Sequence, residues 1–127
     1  FRRVLFRSTL VSKVRSSSLS TLYDFKAQQL RRSTTAPVAQ QIKEWMVNDV
    51  DDGIASGAKV PGVEVAGKTG TAETGQDGLN DAWFTGFAPA DDPQVAVAIV
   101  YEDVDATTGA QLTSPGAQKI FEAVLDK

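Results

Sequence analysis

The chain has 127 residues, 42 % of them hydrophobic, with 13 Lys/Arg against 16 Asp/Glu for a formal charge of −3; this fits one ordinary folded domain and excludes a disordered composition. Cysteine and histidine are both absent, which excludes disulfides, thiolate metal sites, Ser-His-Asp and Cys-His catalysis and most zinc sites. Residues 33–127 carry five Lys/Arg against fifteen acids, a balance that argues against a nucleic-acid partner, and no apolar run approaches the ~18–20 residues of a membrane span.

Residues 1–8 read Phe-Arg-Arg-Val-Leu-Phe-Arg-Ser, which looks like one translated frame of a common short-read sequencing adapter. They are expected to be non-native, with the natural N-terminus missing, and are set aside from fold reasoning. Thr9 to Arg32 is polar and serine-rich, with Ser16-Ser17-Ser18 and few apolar anchors. It reads as an irregular connection with a short strand near Leu10–Val14.

Ser33-Thr34-Thr35 then offers capping hydroxyls, and Pro37 suits a first helical turn. Val38, Ile42, Trp45, Met46 and Asp49/Val50 follow at three-and-four spacing, which predicts a helix from Ala36 to Asp52 with Trp45 and Met46 in the core. Asp49, Asp51 and Asp52 near its end oppose the helix dipole, and Gly53 stops it. Gly53 to Gly62 reads as a loop. It contains Ser56-Gly57-Ala58-Lys59, formally Ser-x-x-Lys. A serine activated by lysine needs the two one turn apart on a helix, and Gly57 beside Pro61 predicts none, so Ser56 is not taken as a nucleophile.

The next stretch, Val63 to Glu73, is the centre of the chain. Val63 and Val65 alternate with Glu64 and Ala66, the period of a half-buried strand. Large side chains then vanish, leaving Gly67-Lys68-Thr69-Gly70-Thr71. Glycine weakens a strand interior and packs nothing there, so such a run makes sense where another backbone lies close against it. We read it as an active-site edge strand. Gly62 to Thr69 also fits the P-loop pattern letter for letter. That pattern needs a cramped loop opening onto a helix N-terminus that cradles phosphate. Val-Glu-Val-Ala favours strand instead, and Gly70 to Gly78 shows no apolar periodicity, so the match is read as coincidental.

Residues 74–81 form a polar turn. Strands are predicted over 82–90 and 94–102, the latter apolar on both faces and therefore central or covered. Asp103 to Gln111 reads as an acidic loop. A final helix is expected to be capped by Thr113 or Ser114, with Pro115 in its first turn and Ala117, Ile120, Phe121 and Val124 on one face. The fold class is α+β, an antiparallel sheet portion of about three strands with packing helices.

Lys68-Thr69-Gly70, with its flanks Val65 to Ala72 and the later Ala82-Trp83-Phe84-Thr85-Gly86-Phe87-Ala88-Pro89, resembles the Lys-Thr-Gly region of the penicillin-recognising serine enzymes. The nearest likeness is to the transpeptidase domain of class B penicillin-binding proteins of the actinobacterial penicillin-binding protein A type. The resemblance covers residues 9–127 and implies the C-terminal part of a β-lactamase/transpeptidase-like fold. It implies a parent enzyme that cross-links peptidoglycan stem peptides by serine acyl transfer at D-Ala–D-Ala and is acylated by β-lactams. No cofactor or metal is implied, and the membrane enters only through a missing N-terminal anchor of an extracytoplasmic protein. Lys68 would hold positive charge beside the nucleophile. Thr69 and Thr71 hydroxyls would bind the ligand's terminal carboxylate, Gly70 would admit its backbone, and the Thr71 N–H would be an oxyanion-hole donor. The departure is large: no helical Ser-x-x-Lys and no Ser-x-Asn occur in the 127 residues, so this chain alone is not expected to form an acyl-enzyme. A β-lactam sensor or non-catalytic pseudo-transpeptidase, and more remotely a P-loop nucleotide binder, stand as alternatives.

Overall fold

A computed structural model of the chain describes residues 11–26 and 33–126. It falls into two units, residues 1–35 and 36–127, each taken by itself. The eight residues expected to be non-native lie outside the described residues.

In the first unit the serine-rich stretch is a hairpin rather than an irregular connection. Strand β1 (Lys13–Arg15) pairs antiparallel with β2 (Thr21–Asp24). Thr21, Leu22 and Tyr23 are strand formers, and Lys13 faces Asp24 across the ladder at 3.6 Å. The serines close the turn themselves. Ser16 Oγ lies 2.8 Å from Ser18 Oγ and 2.6 Å from Ser20 Oγ, the Ser20 N–H donates to Ser16 Oγ at 3.2 Å, and the Ser16 N–H donates to the Ser20 carbonyl at 2.9 Å. Leu19 takes a left-handed φ of 62° there.

The second unit opens with helix α1 (Ala36–Asp52), at the predicted bounds. Its buried face is not the predicted one. Val38, Ile42 and Trp45 are exposed, Trp45 at 63 %, whereas Lys43 and Val50 are buried and Met46 is half-buried. Lys43 can occupy a core-facing position because its stem packs while its ammonium bonds Asp91, a division of labour open to long cationic side chains. That hydrogen bond, partly opposed by desolvation and helped by the charges of Asp91, Glu64 and Glu44, raises the lysine above its ordinary value.

A short 3-10 helix, Ile54–Ala58, follows where a loop was expected. Ala55 and Ala58 are fully buried, and that burial ties the turn down despite Gly57. Pro61 and Gly62 (φ 74°) then make a turn closed by Val63 N–H to Val60 O at 3.1 Å, with glycine at the position that requires positive φ.

Strands β3 (Ala66–Glu73), β4 (Asn80–Ala88) and β5 (Val95–Val104) form an antiparallel sheet in the order β3-β4-β5. The segment connecting β3 to β4 turns through Gly75 and Gly78, both at positive φ, and Thr74 Oγ1 donates to Leu79 O at 3.1 Å. On β5 only one face is partly covered. Val95, Val97 and Ile99 are half-buried against the core, while Ala96, Ala98 and Val100 are exposed. Among the described residues β5 is an end strand rather than a central one.

Helix α2 spans Ala106–Leu125, starting well before the predicted cap. Asp105 is the true N-cap: its carboxylate accepts the Thr107 and Thr108 N–H groups at 3.0 Å, and the Thr108 hydroxyl as well. Those bonds, the Thr108 hydroxyl's first, hold the Asp105 carboxyl below its ordinary value. What reads as an acidic loop is thus a cap followed by two helical turns, and Pro115 sits inside the helix. Thr113 and Ser114 are buried in it, as are Ala117 and Phe121, but Ile120 and Val124 are exposed. Phe121 meets Phe84 of β4 edge-to-face with centroids 6.5 Å apart. Val50, Ala55, Val60 and Val65 join this pair in the core.

Candidate active site

Strand β3 changes character along its length. Ala66 and Gly67 are buried, Lys68 is exposed, Thr69 is half-buried, and Gly70 to Glu73 are exposed. Its partner β4 lies on one side only, and among the described strands none pairs on the other. Every second backbone N–H and C=O of such a strand points along its free edge, which makes it a template for an extended ligand.

The two glycines of the run serve different ends. A Cβ on Gly67 would lie 2.6 Å from Phe84 Cζ and 3.0 Å from Val50 Cγ2. Gly86, directly opposite in register, would place a Cβ 2.6 Å from the Ala66 oxygen. A side chain at either position would collide with the Phe84 ring, a packing reason and not an active-site one. At Gly70 a Cβ would meet only Trp83 Cβ, at the ordinary distance of 3.5 Å. No close neighbour demands that glycine, so of the two only Gly70 is without a packing reason.

Lys68 and Gly70 point to one face and Thr69 and Thr71 to the other, because side chains alternate along a strand. Directly across the ladder lie Thr85 beside Lys68, Phe84 beside Thr69, Trp83 beside Gly70 and Ala82 beside Thr71. Lys68 and Trp83 are both largely exposed on the same face. The Lys68 ammonium reaches Asp49 of α1, Nζ to Oδ2 at 3.0 Å. Sequence reasoning missed that partner. Asp49 reads there only as one of three acids near the end of a helix, and nineteen residues separate it from Lys68; no local spacing signals such a contact.

Ser56 and Lys59 are brought close but not into a nucleophile arrangement. Lys59 terminates the 3-10 helix with extended backbone (ψ 135°), and the bond between them is backbone to backbone, Lys59 N–H to Ser56 O at 3.3 Å. Strand geometry persists from Lys68 to Glu73, so no helix N-terminus follows Lys68 and the phosphate-loop reading is overturned: strand formers before the lysine and a cross-strand partner for every residue after it leave no room for the loop. A cavity of about 380 Å³ lies elsewhere, lined by Val50, Asp51, Lys59, Val60 and Gln118 among others; the candidate site is an open strand edge rather than that hollow. Among the described residues no cluster of acidic side chains is arranged to hold a metal ion.

Comparison with known proteins bears on the same segment. The family described as penicillin binding protein transpeptidase domain matches residues 5–126. The chain is 36 % identical over 128 aligned positions to the peptidoglycan D,D-transpeptidase PbpA of Mycobacterium tuberculosis, covering 96 % of this chain and 26 % of that protein. It is 31 % identical over 90 positions to the peptidoglycan D,D-transpeptidase MrdA of Acinetobacter baumannii, covering 59 % of this chain and 13 % of that one. Among solved structures, the D,D-transpeptidase domain of a peptidoglycan glycosyltransferase from Eggerthella lenta superposes with a TM-score of 0.75 at 33 % identity, covering 91 % of this chain and 26 % of that one. Penicillin-binding protein A from M. tuberculosis, as an imipenem acyl-enzyme complex, gives 0.70 at 34 % identity over 90 % of this chain and 25 % of that one. The chain therefore spans about a quarter of the length of its fullest matches.

Proposed function

The chain belongs to the penicillin-binding protein transpeptidase domain family, and from that premise we propose that residues 9–127 are the C-terminal part of a peptidoglycan D,D-transpeptidase domain, with β3 as its ligand-recognising strand. The observation that carries this reading is the placement of Lys68-Thr69-Gly70-Thr71 on an exposed strand edge, where main-chain groups and short hydroxyl side chains are available to an extended peptide.

In the complete enzyme a serine outside these 127 residues attacks the carbonyl of the D-Ala–D-Ala bond in a peptidoglycan stem. The terminal D-Ala leaves, and the amine of a second stem takes the acyl group from the serine. A β-lactam enters as a mimic of the same ligand and leaves the serine acylated. Lys68 supplies positive charge beside that reaction. Hydroxyls of Thr69 and Thr71 bind the ligand's terminal carboxylate, and Gly70 keeps the strand edge clear for its backbone. The Thr71 N–H donates to the oxygen on which negative charge develops, a role worth typically ~10²–10³ in rate. The complete protein is placed outside the cytoplasmic membrane and anchored to it; among the described residues no helix is long and apolar enough to cross a membrane.

The test is covalent labelling by a fluorescent penicillin. The complete domain carrying this segment is expected to label, and Lys68→Ala to slow labelling by about 10²-fold or more, the scale of a lost electrostatic group in an acyl-transfer site. The 127-residue chain alone is expected to take no label. A denaturation-resistant band on this chain that disappears in Ser56→Ala would overturn the assignment of the nucleophile. Labelling of the complete domain without transfer to an acceptor amine would identify a sensor instead of a transpeptidase.

A further inference from the structure

We propose that Asp49 is the positioning residue for Lys68, a fixed anion that sets the direction of the ammonium group beside the β3 edge. The inference rests on the reading of β3 as a transpeptidase strand, and deepens it. Lys68 is 56 % exposed, and a lysine on an open strand samples many rotamers. Its Nζ is instead 3.0 Å from Asp49 Oδ2.

Asp49 is the rigid member of the pair. Its side chain is 17 % exposed, and its other oxygen, Oδ1, accepts the Ile54 N–H at 3.1 Å. The Gly53 N–H donates to the Asp49 carbonyl at 3.0 Å. A Cβ on Gly53 would fall 2.2 Å from Asp49 Oδ1, so the chain can fold over this carboxylate only with glycine at that position. Helix α1 and the turn after it thus clamp the carboxylate from two sides, and the flexible lysine is what gets oriented. Exposed ion pairs contribute little to stability. A charge held in advance at the place where it is used contributes to rate, because no reorganisation is left for the moment of reaction.

The test is a double-mutant cycle on acylation of the complete domain by benzylpenicillin, resolved into the non-covalent constant and the first-order acylation step. Asp49→Asn is the central variant: its side-chain oxygen can still accept the Ile54 N–H, so the turn survives while the charge is lost. It is expected to slow the acylation step by about tenfold with the non-covalent constant little changed. Asp49→Glu keeps the charge and is expected to stay within about threefold of the parent. The decisive arm is Asp49→Asn in the Lys68→Ala background, expected to add nothing, since a positioning residue has no effect once the group it positions is gone. A further loss in that background means Asp49 acts through the turn and overturns the proposal. So does a parent-like Asp49→Asn beside a slow Lys68→Ala, and so does an Asp49→Glu as slow as Asp49→Asn, including when the Asn variant melts early. A parent-like Lys68→Ala overturns the transpeptidase reading of β3, and this proposal with it.

Discussion

The two ends of β3 carry the same residue types for opposite reasons. At its buried end Gly67 is dictated by what lies against it, the Phe84 ring and Val50. Three residues on, Gly70 is met only by Trp83 Cβ at 3.5 Å. One glycine belongs to the core and the other to an open edge. A glycine-rich run in a strand is therefore not one signal, and each glycine has to be asked what its missing side chain would touch.

The largest effect should come from filling the buried end. Gly67→Val would drive two methyl groups into Phe84 and Val50, with no solvent route for relief. Overpacking of this kind typically costs ~1–3 kcal/mol and sometimes more, and a Val at this position is expected at or above the top of that range. Urea denaturation measures it; a midpoint unchanged from the parent would mean the Phe84 ring swings aside and the buried end is not a packing constraint.

At the open end the effects should fall on rate rather than stability. Thr71→Pro deletes a backbone donor on a strand whose far edge has no described partner. Proline is tolerated at edge positions where the lost N–H does not hold the ladder. If the Thr71 N–H serves the oxyanion, acylation of the complete domain by a penicillin drops by about 10²-fold or more with the circular dichroism retained. Thr71→Val keeps the N–H and loses only a hydroxyl's share of carboxylate binding, of the order of 0.5–3 kcal/mol, and is expected to be the milder lesion. Equal losses would reassign the role to the hydroxyl. Smaller again is Gly70→Ala. Its Cβ meets no close neighbour, and alanine is favoured over glycine in a strand by roughly 0.5–1 kcal/mol. Stability should hold or rise while acylation slows by about tenfold, the cost of a methyl group placed where a ligand backbone lies. A loss of stability at Gly70 as large as at Gly67 would erase the distinction between the two ends.

The same physics explains how far the sequence could be read. Strand order and the bounds of α1 follow from local periodicity, and the structure agrees with them. Most of what differs is decided by partners distant in sequence, and one feature by a local cap. The buried face of α1 differs from the periodicity because Lys43 looks solvated until Asp91, 48 residues away, is placed beside it, leaving Trp45 outside. Pro115 points to a start of α2 at Thr113–Ser114 because proline is favoured in a first helical turn. Asp105 outcompetes it with a cap whose three acceptor bonds are all local. Asp105-x-x-Thr108 is a local capping signal, legible in the sequence but weaker there than the punctuation of the proline. Asp49 could not have been found, since nothing in its neighbourhood points to Lys68.

The smallest expected effect concerns the belt that holds the buried end of β3 in place. Just before the strand, the Glu64 carbonyl accepts the Ala90 N–H at 2.8 Å. Next to Ala90, Asp91 bonds the Lys43 ammonium of α1, so helix, strand entry and the turn after β4 are fastened at one place. Asp91's bond to Lys43, with the nearby charge of Glu64, raises the lysine above its ordinary 10.5. A group whose proton is held more tightly in the folded than in the unfolded chain stabilises fully below its unfolded value. That contribution is lost as pH rises from about 10.5 through the higher folded value. The parent's stability should therefore fall over this alkaline window. In Lys43→Met, which keeps the buried stem and removes the ammonium, this component of the fall should be missing. Thermal melting of both proteins from neutral pH into the window separates the belt from the titration of other groups, which is common to the two. Parallel curves would show that Lys43 contributes only its packed stem, and that the Asp91 bond adds nothing to the hold on the buried end of β3.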